Sequence, residues 1–515
     1  MNNTKMSLNK ESPIAIVGAG VFGLSSAIHL AKAGYKNITV FDQQPYHETQ
    51  YDFDRGCDAA SADCNKIIRA AYGHEVWYQD LTLEAIKEWE SWNESLSDNS
   101  SSGLQLLPPG MKKGERIYVN CGNYHFGDGE NQNHNDNHNH SGQHGLNEFE
   151  KLSVENLAKA GLGHTQYIFS DDAKEAERAR ADGLGYAVDP FNLGALKDGK
   201  YRGYLDTIGG FVYADKACRY ALHLAQTLGV RFVLDRQAGR FDRFVEKDGI
   251  VTGIQMADRT THPAALTIVA CGGWTPGLIL PEMDGLCETT AGSVVTIQIP
   301  ESSPLRQRLS PDNFPVFNWN VHAGENGNLY GFPLTDNGVL KIGYRGTKYT
   351  NPQRFEDRSS SSPSKVRSVP ITKWTSPSIT GLPEKSTNVI QGFLDTYLPE
   401  LRDAGISTGS PNFHTRLCWY TDSFDNHWVI YHVPGKSGVI VATGGSGHAF
   451  KFLPLLGRFV VERATGAGES ELLKLFRWRH LKEGEEAHNK LMKGFDDVNA
   501  LQKVKLIGGG VKGRL

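Results

Sequence analysis

The stretch Ile14-Ala-Ile-Val-Gly-Ala-Gly-Val-Phe-Gly23 decides the fold of this 515-residue chain. Its first four residues form a short apolar run of the kind found in strands that are buried on both faces. The glycines follow in the spacing Gly18-x-Gly20-x-x-Gly23, and apolar residues then recur at helical intervals as far as Gly34. A second apolar run, residues 38–41, ends in Asp42. Strand, glycine turn, helix and strand with a terminal acid together predict a β-α-β unit that binds a dinucleotide.

The glycine turn is predicted to hold the pyrophosphate of the dinucleotide. Gly18 permits the tight turn, Gly20 lets the backbone approach the phosphates, and Gly23 lets helix and strand pack closely. The unpaired N–H groups and the positive dipole end of the helix favour an anion at this point. Asp42 is placed to accept hydrogen bonds from a ribose hydroxyl. The predicted contacts in this unit are Gly18, Ala19, Gly20, Val21, Phe22, Gly23 and Asp42.

The motif alone fits NAD and FAD equally. Two features favour FAD: the motif lies near the N-terminus, and a second glycine turn at 443–447, again after an apolar strand, could close over the flavin from the far end of the chain. An NAD-linked dehydrogenase usually completes its six-stranded domain contiguously. The dehydrogenase remains the alternative, and it predicts a colourless protein that requires nicotinamide.

Composition excludes several classes of protein. The 54 Lys and Arg balance 58 Asp and Glu, a formal charge of -4, which argues against a nucleic-acid partner. No stretch approaches the roughly 20 apolar residues of a membrane span, and the polar opening is unlike a signal peptide. The seven cysteines include no C-x-x-C pair, so neither a disulfide framework nor a zinc ribbon is expected. We expect a small molecule as partner, with no nucleic acid, no membrane and no metal.

Residues 121–145 stand out by composition, because five histidines lie among Asn, Gly and Asp with few apolar neighbours. The pattern predicts a solvated loop insertion. A metal-binding tract is the alternative, although the irregular spacing of the histidines does not favour it. The serine-rich stretch 359–363 is also predicted to be loop. The histidines are His125, His134, His138, His140 and His144.

Four further segments carry a family resemblance. They are SADCNKIIRAAYG (61–73), LKIGY (340–344), RLCWYT (416–421) and GSGHAFKF (445–452). In this order, after an N-terminal nucleotide motif, they resemble the signature segments of the sarcosine oxidase and fructosyl amino acid oxidase (amadoriase) family of flavoenzymes. The resemblance covers nearly the whole chain, except for residues 94–200 and the serine-rich stretch.

The resemblance implies an α/β (α+β) fold of two domains, in which a Rossmann-like FAD-binding domain is interleaved with a mixed-sheet substrate domain. The FAD-binding domain is expected to comprise residues 1–100, 205–275 and 416–490. The substrate domain is expected to comprise residues 101–204, with the His-rich insertion, and 276–415. Residues 491–515 are expected to form a C-terminal tail.

The family also implies how the flavin is held. The cysteine of its C-x-Y-T segment is joined by a thioether to the 8α carbon of FAD, which here points to Cys418. This tether prevents loss of the cofactor and raises its potential. Further cofactor contacts carried over from the matching segments are Ser61, Lys66, Gly445, Gly447, His448 and Lys451.

Lys341 is the residue that the resemblance places near flavin N5. It lies between Leu340 and Ile342 in a predicted strand, so the alternation of side chains points it inward. A buried unpaired cation is costly, so Lys341 is expected to have a functional partner. In the family, that partner is oxygen: the cation stabilises superoxide as the reduced flavin passes on an electron.

The substrate carboxylate is expected at Arg69 and Lys451, where the family binds an amino acid substrate. Arg offers a planar fork and Lys a compact charge. Lys66 stands where sarcosine oxidases carry Arg and fructosyl enzymes carry Lys, whereas Arg345 replaces a substrate-pocket histidine of sarcosine oxidase. These differences disfavour sarcosine itself. Two tyrosines, Tyr72 and Tyr420, are candidates for the pocket wall or for simple packing.

The predicted reaction is FAD-dependent oxidation of a secondary amine, an N-substituted amino acid with an N-methyl, fructosyl or cyclic group. The products are an imine, which is hydrolysed or closes a ring, and hydrogen peroxide. One alternative within the family is a secondary-metabolism oxidase that cyclises an N-methylated aromatic amino acid. A catalytically silent flavin-binding protein is the alternative from another class, and it predicts flavin absorbance without bleaching by amines.

The last three residues, Gly513-Arg514-Leu515, resemble a degenerate peroxisomal address of the S-K-L type. Peroxide production suits that compartment, but Gly in place of Ser leaves peroxisome and cytosol as equal expectations. The family leans towards monomers, so a monomer is expected.

Overall fold

The computed structural model describes residues 8–98, 107–127, 146–169, 173–196, 203–321, 324–355, 365–466 and 468–507. Its strands, in chain order, are β1 (Ile14–Val17), β2 (Ile38–Asp42), β3 (Asn65–Ile68), β4 (Tyr118–Val119), β5 (Asn123–Phe126), β6 (Gln166–Phe169), β7 (Gly203–Asp206), β8 (Gly210–Tyr213), β9 (Arg231–Leu234), β10 (Phe241–Lys247), β11 (Ile250–Met256), β12 (Thr261–Pro263), β13 (Leu266–Val269), β14 (Cys287–Gln298), β15 (Val316–Trp319), β16 (Leu329–Gly331), β17 (Val339–Tyr349), β18 (Pro352–Phe355), β19 (Lys365–Ser368), β20 (Leu382–Pro383), β21 (Phe413–Ser423), β22 (Val429–His432), β23 (Val439–Thr443) and β24 (Leu506–Ile507).

The α-helices of the same residues are α1 (Val21–Lys32), α2 (Tyr46–Thr49), α3 (Val76–Ser97), α4 (Glu148–Lys159), α5 (Lys174–Ala181), α6 (Leu193–Leu196), α7 (Ala214–Thr227), α8 (Leu305–Arg308), α9 (Glu384–Tyr397), α10 (Pro399–Asp403), α11 (Leu456–Thr465) and α12 (Glu471–Leu475). Within these described residues, we find no helix that combines the length and the apolar character of a membrane span.

The predicted dinucleotide unit is β1, α1 and β2, the first half of a six-stranded sheet. The strand order is β22-β23-β13-β1-β2-β9, and every neighbouring pair is parallel except β22 and β23. All four residues of β1 are buried, as expected of a strand covered on both faces. Helix α1 packs against α7 and α11. This arrangement is the Rossmann-like domain that the sequence predicts.

The second large sheet has eight strands in the order β21-β14-β17-β16-β15-β5-β7-β6. Its neighbours are antiparallel except for β5 and β15, which run parallel. The sheet is therefore mixed, as predicted for the substrate domain. Strands of the two sheets alternate along the chain, so the α/β two-domain fold with interleaved domains is confirmed.

Strand β21 connects the two halves of the molecule. It is an edge strand of the mixed sheet and pairs with β14 from Phe413 to Ser423. The boundary at 416 that the sequence analysis expects falls within this strand. Cys418 consequently sits in the mixed sheet, while the next segment of chain joins the six-stranded sheet as β22 and β23.

The loop insertion predicted at residues 121–145 includes residues that form a strand. Residues 123–126 form β5, whose four residues are buried between β15 and β7. His125 is only 1% exposed, because Asn123 Nδ2 donates a hydrogen bond of 3.0 Å to its Nε2 and Glu150 lies 3.6 Å from its Nδ1. Polar composition concealed this strand, since its side chains find partners inside the protein.

The rest of the predicted insertion lies outside the described residues, with His134, His138, His140 and His144. The serine-rich stretch 359–363 and the C-terminal Gly-Arg-Leu also lie outside them. In the described part of the chain, no three or more His, Cys, Asp or Glu side chains are grouped as metal ligands would be.

Candidate active site

A long cavity follows the carboxyl ends of β1, β2, β13 and β23. This edge of a parallel sheet is where nucleotides bind in such folds. The wall is assembled from segments that are far apart in sequence, within 17–22, 41–46, 58–66, 239–242, 270–279, 419–421 and 443–450. Both glycine turns predicted from the sequence therefore face one space.

The first glycine turn has no room for side chains. Gly18 has φ +106°, and a Cβ on it would lie 2.4 Å from the carbonyl oxygen of Ala270. A Cβ on Gly23 would lie 1.8 Å from the carbonyl oxygen of Gly18. Helix α1 follows directly, and its N-cap residue, Gly20, has no side chain that could cap the helix. The turn presents backbone at the start of a helix, which suits a phosphate.

Asp42 lies at the end of β2 in the cavity wall. Its Oδ2 accepts a hydrogen bond of 2.7 Å from the N–H of Ala19, and its Oδ1 accepts one of 2.8 Å from the N–H of Gln44. Burial raises the pKa of this carboxyl to about 6, so it is ionised at neutral pH. A fixed carboxylate at this position can accept a hydrogen bond from a ribose hydroxyl.

The far wall of the cavity offers an unused hydroxyl. Thr443, at the end of β23, lines the cavity, and its buried Oγ1 has no hydrogen-bond partner among the described residues. Ser61 faces the first turn, where its Oγ accepts a hydrogen bond of 3.1 Å from the N–H of Val21. A glycine cradle, a carboxylate and an unpaired hydroxyl together fit a bound dinucleotide.

Asp63 is the centre of a buried charge cluster. Its Oδ2 accepts hydrogen bonds of 2.6 Å from both Lys341 and Lys66, and Arg416 lies 3.9 Å from its Oδ1. Burial alone would raise the pKa of Asp63, but these three cations hold it well below its usual range. The cluster joins segment 61–73 to strands β17 and β21.

Lys341 is buried, as alternation predicts, but it is not unpaired. It is 1% exposed, and besides Asp63 its ammonium donates a hydrogen bond of 2.7 Å to the carbonyl oxygen of Asn65. The partner that its burial requires is an acid far away in sequence, and the oxygen-activating role expected of Lys341 stays a prediction. Lys66 lines the cavity, whereas Lys341 is not among the lining residues.

Arg69 and Lys451 form a second, different cationic pair. Lys451 is 4% exposed and donates a hydrogen bond of 3.1 Å to the carbonyl oxygen of Arg69. Both cations lie over the ring of Tyr72, at 5.4 Å for Arg69 and 4.6 Å for Lys451. Neither forms an ion pair with an acid in the described parts of the chain. Burial, and then the charge of Arg69, lower the pKa of Lys451 well below its usual value.

His448 connects Tyr72 to this region. Its Nε2 lies 3.0 Å from the carbonyl oxygen of Asn426, so Nε2 carries the hydrogen, and Nδ1 accepts a bond of 3.2 Å from the Tyr72 hydroxyl. Burial, together with the charges of Lys451, Arg69 and Arg345 and against the bond to Asn426, lowers the pKa of His448 to about 3. The imidazole is therefore neutral and orients Tyr72.

Cys418 is fully buried in β21. Alternation along the strand places it on the same face as Tyr420, which lines the cavity. The residue opposite Cys418 is Gly292, and a Cβ there would lie 2.8 Å from the Tyr420 ring. A glycine at this point of β14 lets the Tyr420 ring cross the neighbouring strand.

Comparison with known proteins identifies the family of the chain. A family model described as FAD dependent oxidoreductase matches residues 13–463. The chain belongs to the FAD dependent oxidoreductase family. The predicted enzyme class, an FAD-dependent oxidoreductase, is thereby confirmed, and so is the choice of FAD over NAD.

Named relatives of this FAD dependent oxidoreductase agree with the resemblance seen in its sequence. It is 26% identical to the L-saccharopine oxidase of Schizosaccharomyces pombe over 477 residues, covering 90% of this chain and 93% of that one. It is 24% identical to a monomeric sarcosine oxidase of a Bacillus species, covering 89% and 94%. A fructosyl peptide oxidase from E. terrenum has a similar fold, with a TM-score of 0.72, 23% identity and coverage of 98% and 99%.

The predicted cofactor and substrate residues of the oxidoreductase divide into two sets. The first set lines the cavity: Gly18, Gly20, Val21, Phe22, Asp42, Ser61, Lys66, Tyr420, Gly445 and Gly447. The second set is not among the lining residues: Ala19, Gly23, Arg69, Tyr72, Lys341, Cys418, His448 and Lys451. Ala19 of the second set bonds to Asp42 of the first, whereas Lys451 bonds to Arg69 and Tyr72 to His448 within the second set.

Sequence reasoning missed Asp63 and Thr443 in this oxidoreductase. Asp63 lies two residues after Ser61, inside the segment 61–73 that carries the family resemblance. The signal that points to it is Lys341, because a lysine predicted to be buried requires an acid. Thr443 precedes the second glycine turn at the end of a strand, which is a position that commonly contacts ligand in this type of sheet.

Proposed function

We propose that this protein oxidises the C–N bond of an N-substituted α-amino acid, a secondary amine, to an imine, with release of hydrogen peroxide. The observation that carries the proposal is the pair Arg69 and Lys451. A buried cation, Lys451, and a half-buried one, Arg69, neither with an acidic partner in the described residues, form a natural site for the carboxylate of such a substrate. The names of the relatives, which include oxidases of sarcosine, saccharopine and N-methyl-L-tryptophan, support the same substrate class.

The residues of the chain would orient the amine and hold its charges. Arg69 provides a planar fork for the carboxylate, and Lys451 provides a second charge over the same Tyr72 ring. The amine must be neutral when it reacts, which the positive field of these residues favours. FAD, when bound, takes two electrons and a hydrogen from the carbon beside nitrogen and passes the electrons to O2. The second hydrogen leaves from nitrogen, so that C=N and H2O2 balance CH–NH and O2.

The cationic cluster of Lys341, Lys66, Arg416 and Asp63 carries an excess of positive charge within the protein. Three cations surround one carboxylate, and Lys66 reaches the cavity. A fixed positive field in a buried site stabilises an anion as it forms on oxygen. We assign the oxygen-activating role to Lys341 within this cluster.

The experiment that tests the proposed function is a panel of amines offered to the purified holoprotein. Secondary amines with an α-carboxylate should bleach its visible absorbance without oxygen and release peroxide with oxygen. The matched primary amines and the amides of the same acids should do so far less. A protein with flavin absorbance that no amine bleaches would be the silent binding protein, and the proposal would fail.

We further propose that the FAD is tethered to Cys418. The thiol shares the face of β21 with Tyr420 in the cavity wall, and the charges of Lys66, Arg345 and Arg416 all act in its neighbourhood.

Replacing Cys418 with alanine is expected to leave the flavin extractable. In the parent protein, acid precipitation should retain colour in the pellet, and in Cys418→Ala the colour should move to the supernatant. Cys271→Ala is the matched control, since Cys271 lines the cavity and its Sγ lies 3.3 Å from the carbonyl oxygen of Val17. If only the Cys271 variant released its flavin, the tether would be at Cys271 and the assignment to Cys418 would be wrong.

A further inference from the structure

The buried and half-buried cations near the active site differ in whether an acid forms an ion pair with them. Asp63 pairs with both Lys341 and Lys66, and Asp422 forms an ion pair of 2.7 Å with Lys348. Arg69 and Lys451 have no such partner in the described residues and are accounted for by one substrate carboxylate. Arg345 in β17 has neither an ion pair with an acid of the described residues nor a place at that carboxylate.

Arg345 is held against the second glycine turn. A Cβ on Gly447, which lines the cavity, would lie 2.3 Å from both terminal nitrogens of its guanidinium. The guanidinium also lies 4.8 Å from the ring centroid of Tyr420, another lining residue. Gly447 and Tyr420, which both line the cavity, therefore hold the guanidinium of Arg345 at the edge of the cavity.

The hydrogen-bonding capacity of Arg345 is largely unused. A guanidinium has five N–H donors. The structure gives this one a single bond, of 3.3 Å, from Nη2 to the carbonyl oxygen of Ser446, and its buried Nε has no partner among the described residues. Donors left unsatisfied in a partly buried position are costly, unless a ligand completes them.

Asp422 does not complete Arg345. It favours the charged guanidinium electrostatically, but its Oδ2 is already held by Lys348 at 2.7 Å and by the Thr290 hydroxyl at 2.5 Å, and its buried Oδ1 has no hydrogen-bond partner among the described residues. No ion pair of 4.0 Å or less joins Asp422 to Arg345. Lys348 and Arg345 together exceed the single charge of Asp422.

Arg345 belongs to the same site as the carboxylate pair. His448 is affected electrostatically by Lys451, by Arg69 and by Arg345. Arg345 contacts Ser446 and Gly447, immediately before His448, while Lys451 follows three residues after it. The three unneutralised cations therefore surround one short segment at the edge of the cavity, with Arg345 separate from the other two.

We propose that Arg345 binds a second carboxylate of the substrate, so that the preferred amines are N-substituted amino acids that carry two carboxylates. This inference rests on the proposed function and narrows its substrate class. The second carboxylate belongs either to the N-substituent or to the amino acid side chain. The chemistry at Arg345 is the same in both cases, and the probes below distinguish them.

The test uses thioethers, because sulfur in place of NH gives ligands that cannot form an imine. (Methylthio)acetate carries one carboxylate. Three further thioethers carry a second carboxylate on the substituent of sulfur: carboxymethylthio-acetate, -propanoate and -butanoate. In 2-(methylthio)pentanedioate, the second carboxylate is on the side chain of the acid. Dissociation constants come from the perturbation of flavin absorbance in the holoenzyme. We expect one of the two dicarboxylate types to bind at least tenfold more tightly than (methylthio)acetate, and its monoamide to lose that gain.

Variants assign the preference to Arg345. Arg345→Gln should abolish the tenfold gain and leave the dissociation constant of (methylthio)acetate within about twofold, while Arg345→Lys should keep part of it. Arg458→Gln is the matched control, because it removes an equal charge from an arginine that pairs with Glu84 away from the site. With amines, kcat/KM for N-methyl-L-glutamate over N-methyl-L-glutamine should fall in Arg345→Gln by the same factor, if the side chain carries the second carboxylate.

Two outcomes would overturn the inference. One is a parent holoenzyme that binds dicarboxylates no better than their monoamides, a result that needs no variant to fold. The other is a preference that persists in Arg345→Gln. Either result, combined with oxidation of monocarboxylate amines, leaves the proposed function standing, whereas a failure of all amines to bleach the flavin refutes the proposed function itself.

Discussion

Replacing Lys451 with methionine is expected to raise the KM for a carboxylate-bearing secondary amine by about 10- to 100-fold. A hydrogen bond to a charged group contributes about 1.5–3 kcal/mol, and Lys451 is one of two such donors at the proposed carboxylate site. Methionine keeps the length of the side chain and its contact with the Tyr72 ring but removes the charge. Arg69→Ala should have an effect of the same kind and size.

The affinity lost in Lys451→Met should not be accompanied by lost stability. A buried ammonium without an acidic partner costs free energy, so its removal should leave Tm equal to or above that of the parent. Lys474→Met, on the exposed face of α12, is the control for loss of one positive charge. A variant that loses Tm and kcat together, with KM unchanged, would indicate a structural role for Lys451 and contradict the assignment.

Proton uptake gives the same prediction a second measurement. Burial and the charge of Arg69 lower the pKa of Lys451. The neighbouring His448 is neutral, and no acid of the described residues pairs with Lys451. A bound carboxylate should raise the pKa of Lys451 again. Above the pKa of the free protein, binding of (methylthio)acetate should therefore take up a proton, and its affinity should fall as pH rises. An indicator dye should detect this uptake in the parent and not in Lys451→Met.

Replacing Lys341 with methionine is expected to slow the reaction with oxygen by about 100- to 1,000-fold, the range seen when one electrostatic stabiliser is removed from an active site. Anaerobic bleaching by substrate should change by no more than a few fold. Stopped-flow measurements of the two half-reactions separate these effects. Equal slowing of both would remove the assigned role from Lys341.

The Lys341→Met variant can be interpreted because Asp63, the acid that pairs with Lys341, has a second partner. After Lys341→Met, the carboxylate of Asp63 keeps its bond of 2.6 Å to Lys66, so the fold should tolerate the change. Asp63→Asn leaves three cations without their acid, and removing one partner of a buried ion pair typically costs about 3–5 kcal/mol. We therefore expect Asp63→Asn to lower Tm more than Lys341→Met does. The reverse order would contradict the charge cluster.

The sequence was most informative where contacts are local. The β-α-β unit was predicted because Gly18, Gly20 and Gly23 act within one turn and because apolar periodicity extends over neighbouring residues. Lys341 was correctly placed inside a strand by the same reasoning. Its pairing with Asp63 escaped prediction, since the two residues are 278 positions apart and only the packing of β17 against segment 61–73 brings them together.

Polar sequence hid buried structure in two further places. Strand β5 consists of Asn, Tyr, His and Phe, and its burial depends on partners such as Glu150 that no local pattern reveals. The boundary expected at 416 divides β21, because the motif RLCWYT begins there whereas the strand starts at Phe413 and continues to Ser423. Composition predicts burial poorly when polar side chains satisfy one another inside the protein.

The cavity wall has a consequence for how the protein is made. Its segments begin at Val17 and end at Phe450, and β23 enters the six-stranded sheet between β13 and β22. A nascent polypeptide that has not yet been extended to Phe450 lacks one whole side of this cavity, because β23 and the second glycine turn are still missing. We expect such a polypeptide to bind FAD poorly until translation has passed this point and β23 has joined the sheet.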